Sequence, residues 1–289
     1  MCEISFPPPP LFYGLTTADG VPYWKIALLH SRDTLATTVL QTCVRYGNSA
    51  TKCQFCAIGE SLKAGRTIAR KTTGQLAEVA AAAQRLDGIA NVVLTTGTPP
   101  TDDHGAAVLS ESAFAIKGAT GLPIQGQCEP PSDFGWFARM RDAGIDSLGM
   151  HLEAWDEAVR RRIMPGKAEV TRARYLEAFT AAVEIFGKGQ VSTYLLAGLG
   201  DTLQSLHEAA RVLINLGVYP FIVPFVPVSG TPLATHRPPS AEFMRSVLGP
   251  VGQWLSEAGM TSHTVKAGCA KCAACSTLTT FETPSGCAA

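Results

Sequence analysis

The sequence predicts an α/β fold on a parallel sheet, and three observations carry that prediction. Apolar or β-branched runs alternate with Ala-rich stretches of helical period, the mark of consecutive βαβ units. Polar or glycine-rich segments follow those runs directly, and in parallel α/β folds the carboxyl ends of the strands build the active site. Hydrophobic residues make up 46% of the 289 and charged ones 17%, enough for a large buried core and too apolar for disorder.

The elements follow in order. Residues to about 23 are rich in Pro and Gly and read as an irregular lead-in. LATTVLQT (35–42) opens the pattern as a β-branched strand. NVVLT (91–95), PIQGQ (123–127), SLGMH (147–151), VSTYLLA (191–197) and YPFIVPF (219–225) continue it. Stretches 73–86, 111–118, 133–143, 168–186 and 202–216 carry helical composition and period. A last helix, 240–258, contains Pro250, which is expected to kink or break it. Six β/α units fit an incompletely closed (β/α)6 barrel or a doubly wound sheet. The chain divides into a lead-in (1–32), a core barrel (33–258) and a cysteine-bearing tail (259–289).

Lys+Arg and Asp+Glu balance at 24 each, which argues against nucleic acid as a partner. No apolar run reaches the roughly 18 residues of a membrane span. The first residues lack a basic stretch followed by an apolar one, so no secretory signal is expected and the location reads as cytoplasmic.

Nine cysteines stand out. Their odd number, in a long chain with no export signal, speaks against a disulfide framework. Clustered thiols in a reducing compartment are instead metal ligands. Cys43, Cys53 and Cys56 follow the first strand as C-x9-C-x2-C. Three thiolates on one loop suit zinc or iron–sulfur, and they can hold a cubane while leaving its fourth iron open. No His lies in that loop to complete a zinc site; the nearest is His30. Cys269, Cys272 and Cys275 form a C-x2-C-x2-C run and a second metal centre, either an auxiliary [4Fe-4S] cluster or zinc with His263 as fourth ligand. Cys128 reads as a small buried hydrophobe, and Cys2 and Cys287 carry no role.

Polar residues at strand ends add candidates. Gln125, Gln127 and Glu129 alternate, so they face one way, and a buried polar row needs partners. Gln127 and Glu129 read as ribose or substrate contacts. His151 and Glu153 share the same alternation, with a satisfied core histidine as the plainer role for His151. Arg160, Arg161 and Arg162 offer bidentate pairing to a carboxylate, although a helix face of this kind turns at most one of them inward. Tyr194 reaches either the cavity or the core. Gly198 and Gly200 permit a tight turn.

In order and placement these segments resemble the radical S-adenosylmethionine (SAM) superfamily over roughly residues 33–235. Cys53-Gln54-Phe55-Cys56 keeps the C-x-aromatic-C form, with Phe55 where a residue lies beside the SAM adenine, while C-x9-C replaces the usual C-x3-C. Thr95-Thr96-Gly97-Thr98 stands where a Gly-Gly-Glu-like motif meets the SAM amino group, which assigns Thr96 and Gly97. Gly149-Met150-His151-Leu152-Glu153, followed by Arg160–Arg162 and Met164-Pro165-Gly166-Lys167, resembles the branch around biotin synthase, methylornithine synthase and the hydrogenase maturases. There a strand-end carboxylate and a following Arg engage the methionyl part of SAM, which assigns Glu153 and Arg161. The Gly198/Gly200 turn and the Pro227-Val228-Ser229-Gly230-Thr231-Pro232-Leu233 segment match that branch too, the latter bordering the adenine. Runs such as CQFCAIGESLKAGRTIARKT and AGCAKCAAC look like a radical SAM family encoded beside a nitrilase in bacterial gene clusters.

The resemblance implies a partial (β/α)6 TIM-like barrel of the radical SAM type with a cysteine-rich tail. It implies a [4Fe-4S] cluster on Cys43, Cys53 and Cys56, with SAM bound at its open iron. Reductive cleavage of SAM would give a 5′-deoxyadenosyl radical, which acts on a small-molecule substrate. The electron would come from a low-potential donor of the flavodoxin or ferredoxin type. The competing expectations are a zinc-dependent (β/α) barrel hydrolase and a non-catalytic iron–sulfur carrier.

Overall fold

A computed structural model describes residues 8–282. Cys2 and Cys287 lie outside the described residues.

Seven strands form one sheet in chain order: β1 (Leu28–His30), β2 (Thr34–Thr38), β3 (Asn91–Thr95), β4 (Ile124–Gln127), β5 (Ser147–Gly149), β6 (Val191–Ala197) and β7 (Val218–Pro224). Only β1 runs antiparallel to its neighbour; all other pairs are parallel. The register Thr38–Thr95–Gln127–Gly149 sets the ends of β2 to β5 at one level. Gln125 on β4 donates to Ser192 Oγ on β6 at 3.1 Å, a reach across β5 that requires the sheet to curl. β1 and β7 do not pair, so the curl stays open. This is the partial barrel, and the doubly wound alternative falls away.

Among the described residues ten helices accompany it: α1 (Tyr23–Ile26), α2 (Ile58–Lys63), α3 (Thr73–Asp87), α4 (Ala106–Thr120), α5 (Trp136–Asp142), α6 (Glu157–Ile163), α7 (Arg172–Phe186), α8 (Leu203–Asn215), α9 (Ala241–Glu257) and, in the tail, α10 (Cys269–Cys272). Thr72, Asp156, Thr171, Thr202 and Ser240 cap α3, α6, α7, α8 and α9 through side-chain oxygens, which fixes where each strand-end loop gives way to helix. None of the described helices is long and apolar enough to cross a membrane.

The six expected strands appear, joined by β1, which pairs with β2 from within the expected lead-in, and three expected elements differ in their bounds or course. The first ends at Thr38 rather than 42, because Val39 and Gln41 donate to Thr95 and Ala69 and start the next loop. The expected helix 168–186 begins at Arg172, since Thr171 caps it and Lys167–Glu169 forms a separate turn. Pro250 does not break its helix, and α9 runs continuously through it. The carbonyl that Pro250 leaves without a helical donor, Ser246 O, accepts instead from His207 Nε2 at 3.2 Å.

The tail closes the barrel from below. Lys266 N donates to Gln190 Oε1, Gly268 N to Asn91 Oδ1 and Cys269 N to Gln125 Oε1, at 3.0, 3.3 and 3.2 Å. Gln190 and Asn91 mark strand beginnings, so the segment enters at the amino ends and climbs inward. A Cβ on Gly268 would lie 2.2 Å from Gln125 Cδ at φ +114, so only glycine passes there. Ser276 Oγ then bonds Ile222 O on the open-edge strand β7 at 2.6 Å.

Candidate active site

The loop after β2 holds the first cysteine group against three strand ends. Val44 N donates to Thr98 O at 2.9 Å and Gly97 N to Leu40 O at 2.8 Å. A Cβ on Gly97 would stand 2.1 Å from Thr42 O, so a bare α-carbon is what lets the Thr42–Cys43 backbone lie on the end of β3. Further on, Gln54 N donates to Ile163 O at 2.8 Å and Leu233 N to Gln54 O at 3.3 Å. The CQFC turn is thereby clamped between α6 and the segment after β7. Cys53 and Phe55 rest on an apolar cluster of Ala154, Val159, Ile163, Met164, Leu199 and Phe225.

The thiols are close enough to feel one another. Burial pushes Cys53 up to about 12, with Lys167 opposing and Cys56, Glu153 and Glu129 adding to the rise. Burial likewise raises Cys56, and Cys43 adds to it. Among the described residues, no three of His, Cys, Asp and Glu gather as tightly as a single ion needs. A four-iron cluster asks for a looser set, because each thiolate binds its own iron. Three thiols on one loop, Cys53 near Cys56 and Cys56 near Cys43, suit that donor set.

A charged rim flanks them. Glu153 is buried in a left-handed conformation, φ 67, and pairs with buried Lys167 at 3.0 Å. Burial works against the Lys167 charge, but Glu153, then Tyr175 and Glu129, outweigh it and hold its pKa above the ordinary value. Glu129 Oε1 accepts from Arg45 and from Thr98 Oγ1 at 2.7 Å. Its other oxygen, Oε2, is buried without a partner, an orphan that a bound group would satisfy. Lys167, Arg45 and Thr98 carried no sequence-based role, although Lys167 stood in the Met164–Lys167 run and Thr98 in the Thr95–Thr98 run.

The arginine trio divides differently from the expectation. Arg160, not Arg161, turns inward: it is fully buried, donates to Val170 O at 2.9 Å and lies over the Tyr175 ring. Arg161 is exposed, because helical spacing puts Arg160 on the face of α6 that carries Ile163 and leaves its neighbour outside. Arg162 donates to Leu199 O at 3.0 Å.

The polar row inside the barrel meets the tail. Gln127 donates to Gln125 Oε1 and to Cys269 Sγ, at 2.7 and 3.1 Å, and accepts from His151 Nε2 at 3.0 Å. His151 Nδ1 accepts from Tyr194 N at 3.2 Å, which fixes the Nε2–H tautomer; burial drops its pKa to about 4. The Tyr194 ring stacks on His151 at 4.4 Å, and its hydroxyl, whose pKa burial raises, lies near the sulfurs of Cys269 and Cys275. Burial raises Cys269 to about 11, and Cys275 and Cys272 add to the rise. Gln127 and His151 are thus committed to one another and to the tail triad, whereas Glu129 and Glu153 face the first cysteine group.

The remaining candidates line the same rim. Gly198 and Gly200 take φ +105 and +135, and the Asp201 carboxylate after them accepts from Trp155 N and Asp156 N at 2.9 Å. Thr96 Oγ1 donates to Gly97 O at 2.8 Å. Val228 O accepts from Thr231, and Gly230 in that turn packs on Glu60 of α2. Pro227 and Val228 therefore stand beside the cysteine loop. Cys128 is buried, as its sequence setting suggests.

Comparison with known proteins adds four findings. The family described as Radical SAM superfamily matches residues 46–213, beginning just after Cys43. Over 125 residues the chain is 31% identical to bacteriochlorophyllide c C-7(1)-hydroxylase of Chlorobaculum limnaeum, covering 43% of this chain and 31% of that one. Over 171 residues it is 30% identical to lipoyl synthase of Symbiobacterium thermophilum, covering 57% of this chain and 50% of that one. The chain therefore spans at most half the length of these curated relatives. Among solved structures, methylornithine synthase superposes with a TM-score of 0.56 at 21% identity, over 75% of this chain and 62% of the other, a likeness of fold.

Proposed function

The chain belongs to the radical SAM superfamily, and from that premise we propose that it is an enzyme that cleaves SAM reductively at a [4Fe-4S] cluster and directs the 5′-deoxyadenosyl radical at a small-molecule substrate. When bound, the cluster supplies the low-potential electron that breaks the SAM carbon–sulfur bond.

In this reading Cys43, Cys53 and Cys56 hold the cluster. Glu129 offers its orphan oxygen to an N–H or O–H of SAM. Lys167 holds the Glu153 carboxylate in place beside it. Phe55, seated on the apolar cluster, presents a ring to the adenine, with Pro227 and Val228 on its border. Gly97 lets the loop approach, and Thr96 stands beside it. Cys269, Cys272 and Cys275 hold an auxiliary [4Fe-4S] cluster inside the barrel, with Gln127 donating to Cys269 and His151 and Tyr194 packed behind it. Residues 33–258 form the barrel and the chain from 259 the tail, whose described part, to residue 282, plugs it. The Glu153, Gly198/Gly200 and Pro227–Leu233 segments support a place in the biotin synthase-like branch. The quoted runs support kinship with the family of the nitrilase gene clusters. A reductant of flavodoxin or ferredoxin type completes the scheme.

One observation carries the reading: Cys53 stands near Cys56, and Cys56 near Cys43, on one loop beside Glu129, whose buried carboxylate oxygen has no partner. Electron paramagnetic resonance of the reduced, reconstituted protein tests it. A [4Fe-4S] signal that SAM alters, and that Cys53→Ala no longer gives, is the expected result. A signal indifferent to SAM points to a carrier, and a colourless zinc protein to a hydrolase.

A further inference from the structure

The barrel contains a cavity of about 420 Å³, within the ~300–1,000 Å³ range of small-molecule sites. Its lining joins Cys269, Cys272 and Cys275 to Gln41 and Ser61, which flank the first cysteine group. The cavity thus opens on the tail cysteines and reaches the chain on either side of the first group, none of whose cysteines lines it.

Its charge is one-sided. Lys25, Arg66 and Lys71 line it, and no Asp or Glu does. Lys71 is 4% exposed, and its ammonium donates to Thr38 O and to Thr67 Oγ1, both neutral. Among the described residues no carboxylate pairs with it. An ammonium carries three protons, so one donor remains. Burying such a charge unpaired is costly, and burial accordingly lowers its pKa to about 8. Arg66 is exposed at the lining and has no acidic partner among the described residues either. A ligand that brings its own negative charge supplies what this wall lacks.

We propose that this cavity is the substrate site and that it takes a small molecule bearing an oxyanion, carboxylate or phosphate, which the Lys71 ammonium holds while the rest of the molecule extends toward the tail cysteines. That the occupant is a substrate rests on the radical SAM reading; the anion site does not.

Crystals of the anaerobically reconstituted full chain, soaked in sodium bromide, test this with anomalous data at the bromine and iron edges. A bromide within hydrogen-bond reach of Lys71 Nζ is expected, retained in Lys71→Arg and lost in Lys71→Met. Acetate or inorganic phosphate added to the soak displaces it, and whichever acts at lower concentration identifies the group. A cavity without bromide while other surface cations bind it overturns the proposal, and so does a peak that persists in Lys71→Met. Iron peaks at the two cysteine groups report on the cluster reading separately: bromide without iron leaves the anion site standing and removes the radical SAM reading.

Discussion

The Lys167 ammonium stands 3.0 Å from a Glu153 carboxylate oxygen, and both side chains are buried at the strand-end rim. Glu153 reaches that place through a left-handed backbone, held by Glu153 N to Tyr194 O at 2.9 Å and Leu196 N to Glu153 O at 2.7 Å. Such backbone strain at a strand end is a mark of a functional position. The pair adjoins Cys53, whose thiol feels both charges.

Lys167→Met leaves Glu153 as an uncompensated buried charge. Destabilisation of ~3–5 kcal/mol follows, read by chemical denaturation at neutral pH. The double variant Lys167→Met/Glu153→Gln recovers most of that loss, yet neither variant binds SAM in equilibrium dialysis. Wild-type SAM binding in the double variant removes the pair from the cofactor site.

Gly97→Ala forces a methyl group onto Thr42 O, a backbone atom that cannot yield cheaply. The barrel keeps its far-ultraviolet circular dichroism, while iron content falls by about half as the first group loses its cluster. Full iron occupancy in this variant would show that the β3 end does not position the loop.

Replacing Cys269, Cys272 and Cys275 together by Ala likewise removes about half the iron but preserves the SAM-induced change in the resonance signal. Unchanged iron content contradicts a second cluster on the tail.

His151 makes stability depend on pH. Its folded pKa is about 4, chiefly through burial, against about 6.5 unfolded. Between those values the unfolded chain takes up a proton that the folded chain refuses. The contribution is therefore complete above about pH 6.5 and is lost as pH falls toward 4, on the order of 3 kcal/mol. Urea midpoints across this window fall more steeply for wild type than for His151→Asn; equal slopes contradict a buried neutral imidazole.

Much of this was legible locally. NVVLT and VSTYLLA announced β3 and β6 to the residue, because a short buried run bounded by turns has no competing period. The two cysteine groups were visible from spacing alone. What escaped depends on distant partners. Gln125 and Gln127 read as open polar groups, but Cys269, 142 residues beyond Gln127, occupies them. Pro250 read as a break, but His207, 39 residues before Ser246, takes the freed carbonyl. Lys167 read as part of a motif, and its role depends on the turned backbone of Glu153. The Asp156 cap ahead of EAVRRRI was a local signal for α6, and from it the inward face of Arg160 follows.

The most direct test of the account is 5′-deoxyadenosine release from SAM by anaerobically reconstituted protein with dithionite. Release that depends on the reductant and vanishes in Cys43→Ala, Cys53→Ala and Cys56→Ala is expected. A protein with a fully loaded cluster that releases none, with or without a panel of small carboxylates and phosphate esters, would contradict it.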